Sequence, residues 1–296
     1  MSKKIPNIDF IGKKNYALTF SAVLTILSLL LLIFKGLNFS IDFKGGTIIE
    51  FWTTKDRVEK ELKELLLSEY TDFEVSKTKL YSEDSIRCNY SLKIGANGSH
   101  AVDNVAGIIK KAFSDTEFIK IDYIGPKIGA EFAIDGVKAI IFSLLAMMTY
   151  VWFRFDLKFG FGVILALLHD VLITLGFFSL SGFQFDLTSI AVVLTVVGYS
   201  INDSIVIYDR IRENLNVKID KIKKGEFGAI INRSVNETLS RTIMTSFTTL
   251  VVCIALLIFG GEALRGFSAG LSFGIAFGTY SSIYISAPVL IFFSKK

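Results

Sequence analysis

Residues 187–208 read LTSIAVVLTVVGYSINDSIVIY, Leu187 to Tyr208, and the reading of this run decides the architecture. A helix needs about 20 residues to cross roughly 30 Å of hydrocarbon. This run is long enough and carries a single charge, Asp203. A charge in the hydrocarbon costs about 2.5 to 3.5 kcal/mol on insertion scales, so a carboxylate there faces a protein interior and is a functional candidate. Asp203 lies five residues from the Tyr208 end, roughly 8 Å along a helix that rises 1.5 Å per residue. Tyr199 and Ser200, four and three residues earlier, share its face and are expected to offer it hydroxyl donors. Asn202, its neighbour, is a candidate supporting group.

Five further runs flank this one: Asn15 to Phe34, the stretch 136–153 built on the uncharged Ala139 to Phe153, Phe159 to Leu180, Thr242 to Gly261 and Gly266 to Phe293. Six spans account for a composition that is 51% hydrophobic and 20% charged over 296 residues, with mean hydropathy +0.52. A soluble domain of this length is less apolar. Lysine and arginine in short loops set the orientation. Lys3, Lys4, Lys13 and Lys14 precede the first span, Arg154 and Lys158 follow the second, eight Lys or Arg fill the loop 209–241, and Lys295 and Lys296 close the sequence. The opposite short loops, Ser181 to Asp186 and Gly261 to Arg265, carry only Arg265. Segment 1–14 and the other end are therefore expected in the cytoplasm and 35–135 outside, in a multi-pass protein of the plasma (inner) membrane. A basic start before an apolar core is also the pattern of a cleavable signal. Here the core is longer than a signal requires, no small-x-small site precedes Lys35, and cleavage would leave an odd number of spans.

The net charge of +4 is small, and the lysines lie in blocks beside apolar runs, so a nucleic-acid partner is not expected. Cys88 and Cys253 fall in an outside strand and a membrane span, which argues against a disulfide or a thiolate metal site.

The outside segment has the periodicities of a compact α/β domain. Ser40 to Thr53 is β-branched and aromatic. Lys55 to Glu69 sets Val58, Leu62, Leu65 and Leu66 at helical spacing, and Asp72 to Tyr81 with Ser85 to Ile94 forms a hairpin-like pair. Ser99 to Phe113 turns Val102, Val105, Ala106 and Ile109 to one face, and Glu117 to Ile124 is a last strand. That order, β-α-β-β-α-β, is ferredoxin-like and implies no activity by itself. Pro126 suits a first helical turn, and its helix is expected to run into the second span. Gly125, Pro126 and Gly129 form a small-residue joint, a candidate hinge between domain and membrane.

Several short strings, in this order and placement, carry a resemblance. They are Asp42-Phe43-Lys44-Gly45-Gly46-Thr47, Gly125-Pro126-Lys127-Ile128-Gly129-Ala130-Glu131, His169-Asp170, Gly198-Tyr199-Ser200-Ile201-Asn202-Asp203-Ser204 with Tyr208-Asp209-Arg210-Ile211-Arg212-Glu213-Asn214, and Thr238-Leu239-Ser240-Arg241-Thr242. Over essentially its whole length the sequence resembles the SecF side of the SecD/SecF protein-export family, within the resistance-nodulation-division superfamily. Its one departure is a slightly extended loop, Val217 to Phe227. The resemblance implies half of a twelve-helix unit, completed by a SecD-like subunit. It further implies partnership with the SecYEG translocon, with translocating preproteins and with membrane lipid, and use of the proton-motive force to help preproteins emerge. The coupling ion would be the proton, with no cofactor.

Arg241 opens the fifth span and shares a face with Thr238, Thr245 and Thr248. Position alone is equally that of an arginine snorkelling at the boundary; the resemblance implies a functional position, so Asp203 and Arg241 are the candidate proton-coupling pair. His169 and Asp170 sit near the middle of the third span and must face the bundle, either as a proton relay or as an interhelical hydrogen-bonding pair. Gly266, Gly270, Gly274 and Gly278, continued by Ser282 and Ser286, make a small-residue stripe suited to close helix packing. Gly45-Gly46 lies in no Walker or dinucleotide pattern and reads as a backbone turn. No metal-ligand cluster, nucleophile triad or nucleotide motif occurs in the sequence, so no enzymatic activity is expected. A half-size exporter of lipids or small molecules and a structural scaffold are the competing functions. A single compact outside domain counts against the first, and a carboxylate within the membrane against the second.

Overall fold

The computed structural model describes residues 7–53, 58–67, 73–82, 85–95, 100–155, 157–215 and 223–293. α1 (Lys14–Phe34) leads out to the domain through a single helical turn, α2 (Ile41–Lys44). The strand expected from Ser40 begins later, at β1 (Gly46–Thr53), because Ser40 caps α2 with Oγ accepting from Asp42 N at 3.0 Å. Gly45 ends the turn at φ +80°, a conformation in which a side chain would be strained. α3 (Val58–Leu66), β2 (Phe73–Ser82), β3 (Ser85–Gly95), α4 (His100–Ala112) and β4 (Glu117–Ile124) follow. The outer residues of the expected helix Lys55 to Glu69 lie outside the described residues. The strands pair in the order β2-β3-β1-β4, antiparallel throughout, which is the ferredoxin-like topology. β1 alternates, turning Ile49 and Phe51 inward onto Val58, Leu62, Leu66, Val105 and Ile109. Leu65 points the other way and is exposed.

α5 (Pro126–Arg154) starts with Pro126 in its first turn and runs unbroken into the membrane-crossing bundle. Its joint to the domain is packed. A Cβ on Gly129 would stand 2.7 Å from Phe43 O, and one on Gly45 would stand 2.8 Å from Pro126 Cα, so α2 rests directly on the start of α5. α6 (Leu157–Ser181), α7 (Leu187–Asn214), α8 (Lys224–Phe259) and α9 (Gly261–Ser281) complete the bundle, with a π-helical turn Ser282–Ser286 carrying α9 toward Phe293.

The six apolar helices divide into two sets. The most apolar windows of α6, α7 and the α9 segment are 61%, 50% and 67% buried, against 11%, 6% and 17% for α1, α5 and α8. Three helices make the interior and three the rim, whose exposed Phe142, Phe247 and Ile258 suit hydrocarbon or another membrane protein.

The loop expected at 209–241 is largely helical. α7 continues to Asn214 and α8 begins at Lys224, because Phe227, Ile231 and Val235 form an apolar stripe that packs in one cluster with Ile207, Tyr208 and Ile211. Polar ties reinforce it: Glu237 accepts from Arg210 Nε at 2.5 Å, Asn214 Nδ2 at 2.9 Å and Arg233 Nε at 2.9 Å. The charge density of this stretch obscured its apolar stripe in the sequence. Residues 217–222 of the expected loop extension lie outside the described residues. Before α1 the chain is strapped to α8, with Ile8 N donating to Asn236 Oδ1 and Phe10 N to Asn232 Oδ1.

Candidate functional site

Asp203 is 2% exposed, and its Oδ2 has no hydrogen-bond partner among the described residues. The hydroxyls expected to serve it are engaged elsewhere. Tyr199 Oη donates to Thr245 O at 2.6 Å and lies 2.7 Å from Thr249 Oγ1, both on α8, while Ser200 Oγ donates to Asp170 Oδ2 on α6 at 2.6 Å. The hydroxyls expected at Asp203 thus bond two other helices instead. Helical side chains lean toward the N-terminus, so Tyr199 and Ser200 reach away from Asp203 toward the next layer of their neighbours.

Arg241 stands exposed on α8, and it is the charged group that acts on Asp203. No ion pair closes between them, and Arg241 makes no side-chain hydrogen bond among the described residues. Of its stripe, Thr238 is buried and Thr248 exposed, each hydrogen-bonded back to its own helix. Asn202 is exposed as well. Ser204 Oγ of α7 and Thr242 Oγ1 of α8 are buried without partners among the described residues, like Asp203 Oδ2. Buried polar atoms are nearly always paired, and these unpaired ones lie on the two helices that carry Asp203 and Arg241. Thr242 entered the sequence reading only as the start of its span and the end of a motif, not as a site residue, although it directly follows Arg241.

His169 and Asp170 both face the interior. Asp170 is fully buried, and its Oδ2 accepts from Ser200 Oγ of α7 and Ser281 Oγ of α9, each at 2.6 Å. His169 Nδ1 lies 3.0 Å from Asp170 Oδ1, and His169 Nε2 is buried without a partner among the described residues. Ser281 was missed because it lies off the four-residue stripe that drew attention to α9.

That stripe is graded. A Cβ on Gly274 would collide with Val196 Cγ2, and one on Gly270 would stand 2.6 Å from Phe178 Cζ. On Gly278 it would meet Ser200 Cβ at 3.3 Å, and on Gly266 only Phe183 at 3.8 Å. Beyond the glycines, Ser282 bonds back to Thr279 O within α9, and Ser286 Oγ donates to Tyr208 Oη at 2.7 Å.

Two family models match the chain: the C-terminal part of the protein export membrane proteins SecD/SecF over residues 104–296, and the SecD/SecF GG motif over residues 30–51. The chain is 42% identical over 300 residues to the protein translocase subunit SecF of Rickettsia rickettsii, covering 99% of this chain and 94% of that one. To the SecF subunit of Rickettsia typhi it is 42% identical over 292 residues, covering 98% and 93%. The crystal structure of SecDF, a translocon-associated membrane protein from Thermus thermophilus, superposes with a TM-score of 0.80 at 35% identity. That match covers 98% of this chain and 39% of the SecDF chain. SecDF in its super-membrane-facing form superposes with a TM-score of 0.71 at 34% identity, over 97% and 38%. The chain thus spans about two fifths of the solved SecDF chains and nearly all of the SecF relatives.

Proposed function

The chain belongs to the SecD/SecF family of protein-export membrane proteins, as a SecF-like translocation subunit, and on that premise we propose that it couples the proton-motive force to preprotein export. Its partner in this reading is a SecD-like subunit that supplies the other half of the unit solved as SecDF. The pair works at the SecYEG channel, on preproteins emerging outside, in a lipid bilayer with both termini in the cytoplasm. Protons are the coupling ion, no cofactor takes part, and the subunit catalyses no covalent chemistry.

One observation carries the coupling step: Asp203 is buried with Oδ2 unpartnered, within the field of Arg241 but not paired with it. Such a carboxylate rests in neither state alone. Ionised, it is desolvated without a closed ion pair; neutral, it leaves the guanidinium unanswered. A proton crossing 100 mV carries about 2.3 kcal/mol, which shifts a two-state equilibrium between helix arrangements several tens-fold. The exposed Arg241 and Asn202 face where a partner's helices would complete the site.

Export into inverted vesicles, with and without a proton gradient, tests the proposal. Asp203→Asn preserves size and fixes a neutral side chain; it should insert and bind its partner normally yet lose the gradient-dependent gain. Full stimulation at normal expression would rule Asp203 out as the coupling residue.

A further inference from the structure

A second buried carboxylate, Asp170, stands at the junction of the three interior helices and has no part in the coupling step at Asp203. Two hydroxyl donors at 2.6 Å on its Oδ2, Ser200 from α7 and Ser281 from α9, are the geometry of an ionised carboxylate. A protonated Oδ2 would need one of those directions for its own hydrogen. An ionised carboxylate in a dry interior is costly, so the group that can hand it a proton decides its state.

The elements packed on α6 offer few candidates. α7 brings Tyr208, which donates to Ser286 O, and Asp203, which acts with Arg241 instead. The α9 segment brings Tyr280, which donates to Ala17 O, and Tyr284, packed between Tyr280 and Phe10. No charged side chain of α1 or α5 acts on Asp170. Among the described residues that leaves His169, whose Nδ1 is 3.0 Å from Asp170 Oδ1 and whose Nε2 is buried and unpartnered. Nε2 is the open position at which a proton enters or leaves the pair.

We infer that His169 and Asp170 form a second proton-holding pair, whose protonation state sets how firmly α7 and α9 are held to α6. With Nδ1 protonated and Nε2 bare the pair is neutral imidazole and carboxylate, and both serine bonds are charge-assisted. When a proton enters at Nε2, the Nδ1 proton passes to Oδ1, and imidazole and carboxylic acid result with the net charge raised by one. Both serine bonds then fall to roughly half their strength. Ser200 is three residues from Asp203 on the same helix, about 4.5 Å along its axis, so loosening it frees the turn that carries the coupling carboxylate. Ser281 directly precedes the π-helical turn Ser282–Ser286, a kind of irregularity often found at working sites.

The inference rests on the reading of the bundle as proton-coupled, but its test does not use export, so either can fail alone. Infrared difference spectra between acid and alkaline pH are recorded on the full chain with its SecD-like partner in lipid nanodiscs. Each variant is subtracted from the parent so that surface carboxylates cancel. The expected result is a titrating signal, carboxyl or imidazole, that persists in Asp203→Asn and is absent from both Asp170→Asn and His169→Gln. Should Asp170→Asn fail to assemble, Ser281→Ala, which removes one donor and keeps both titrating groups, should move the same signal to a different pH. If Asp203→Asn abolishes every such signal, or if His169→Gln and Ser281→Ala both leave the parent spectrum unchanged, the proposal is overturned.

Discussion

At the scale of single residues, the cost of a charge in hydrocarbon identified both carboxylates from sequence, because a lone Asp in an apolar run must face protein. Which groups serve them was not legible. Tyr199 and Ser200 lie on the face of Asp203, yet one bonds α8 and the other bonds Asp170. Arg241 illustrates how chemistry beyond charge can be tested. Arg241→Lys keeps a cation and loses the planar fork, whereas Arg241→Met loses both. Gradient-driven export should therefore fall in the order parent, Lys, Met, and equal loss in the two variants would mean that the fork rather than the charge is required. Tyr199→Phe removes a half-buried donor to Thr245 O. It should lower thermal stability of the detergent-purified complex by about 0.5–1.5 kcal/mol, while part of the gradient response survives.

At the scale of elements, the apolar runs marked all six helices, but located their ends poorly where one helix leans on another. α7 and α8 extend past their spans because they pack together through Phe227, Ile231 and Val235, a contact between segments distant in sequence. The small-residue stripe of α9 was visible as a pattern, but its gradation needed neighbours. Gly270→Ala and Gly274→Ala press a methyl into Phe178 and Val196 and should each destabilise the bundle by about 1–3 kcal/mol. Gly266→Ala meets only ordinary contact and should be neutral or slightly stabilising, since alanine is the better helix former. Thermal unfolding of the three variants in one detergent checks the order; a Gly266 effect as large as that at Gly274 would show that the stripe acts as a unit.

At the scale of the whole molecule, three interior and three rim helices describe a bundle whose rim carries Arg241 beside apolar side chains. The chain purified alone should aggregate at lower temperature than the same chain co-expressed with a SecD-like partner, as read by size-exclusion chromatography after heating. Equal stability would mean that the rim is satisfied by lipid. The sheet domain is fastened at its base, where Ser40 N donates to Phe185 O, Phe185 N to Asn38 O, and Lys93 Nζ reaches Gln184 Oε1 at 3.4 Å. With α2 seated on Gly129, Gly125 is the residue of the proposed joint left to turn. A reducible crosslinker between cysteines placed at Lys93 and Gln184 should block export until it is cleaved, and unimpaired export with the link complete would count against movement of the domain.

Sequence alone determined what depends on one segment and its solvent. Spans follow from the apolar length needed to cross hydrocarbon, strands and helices of the domain from periods of two and 3.6, and the two buried carboxylates from desolvation cost. Tertiary structure decided what depends on which segments meet. It drew Ser200 and Ser281 from different helices onto one oxygen of Asp170, left Asp203 Oδ2 without a hydrogen-bond partner among the described residues, and made α2 a helical turn seated on Gly129. Hydrogen bonds act over about 3 Å, and only the folded bundle brings residues so far apart in the chain within that reach.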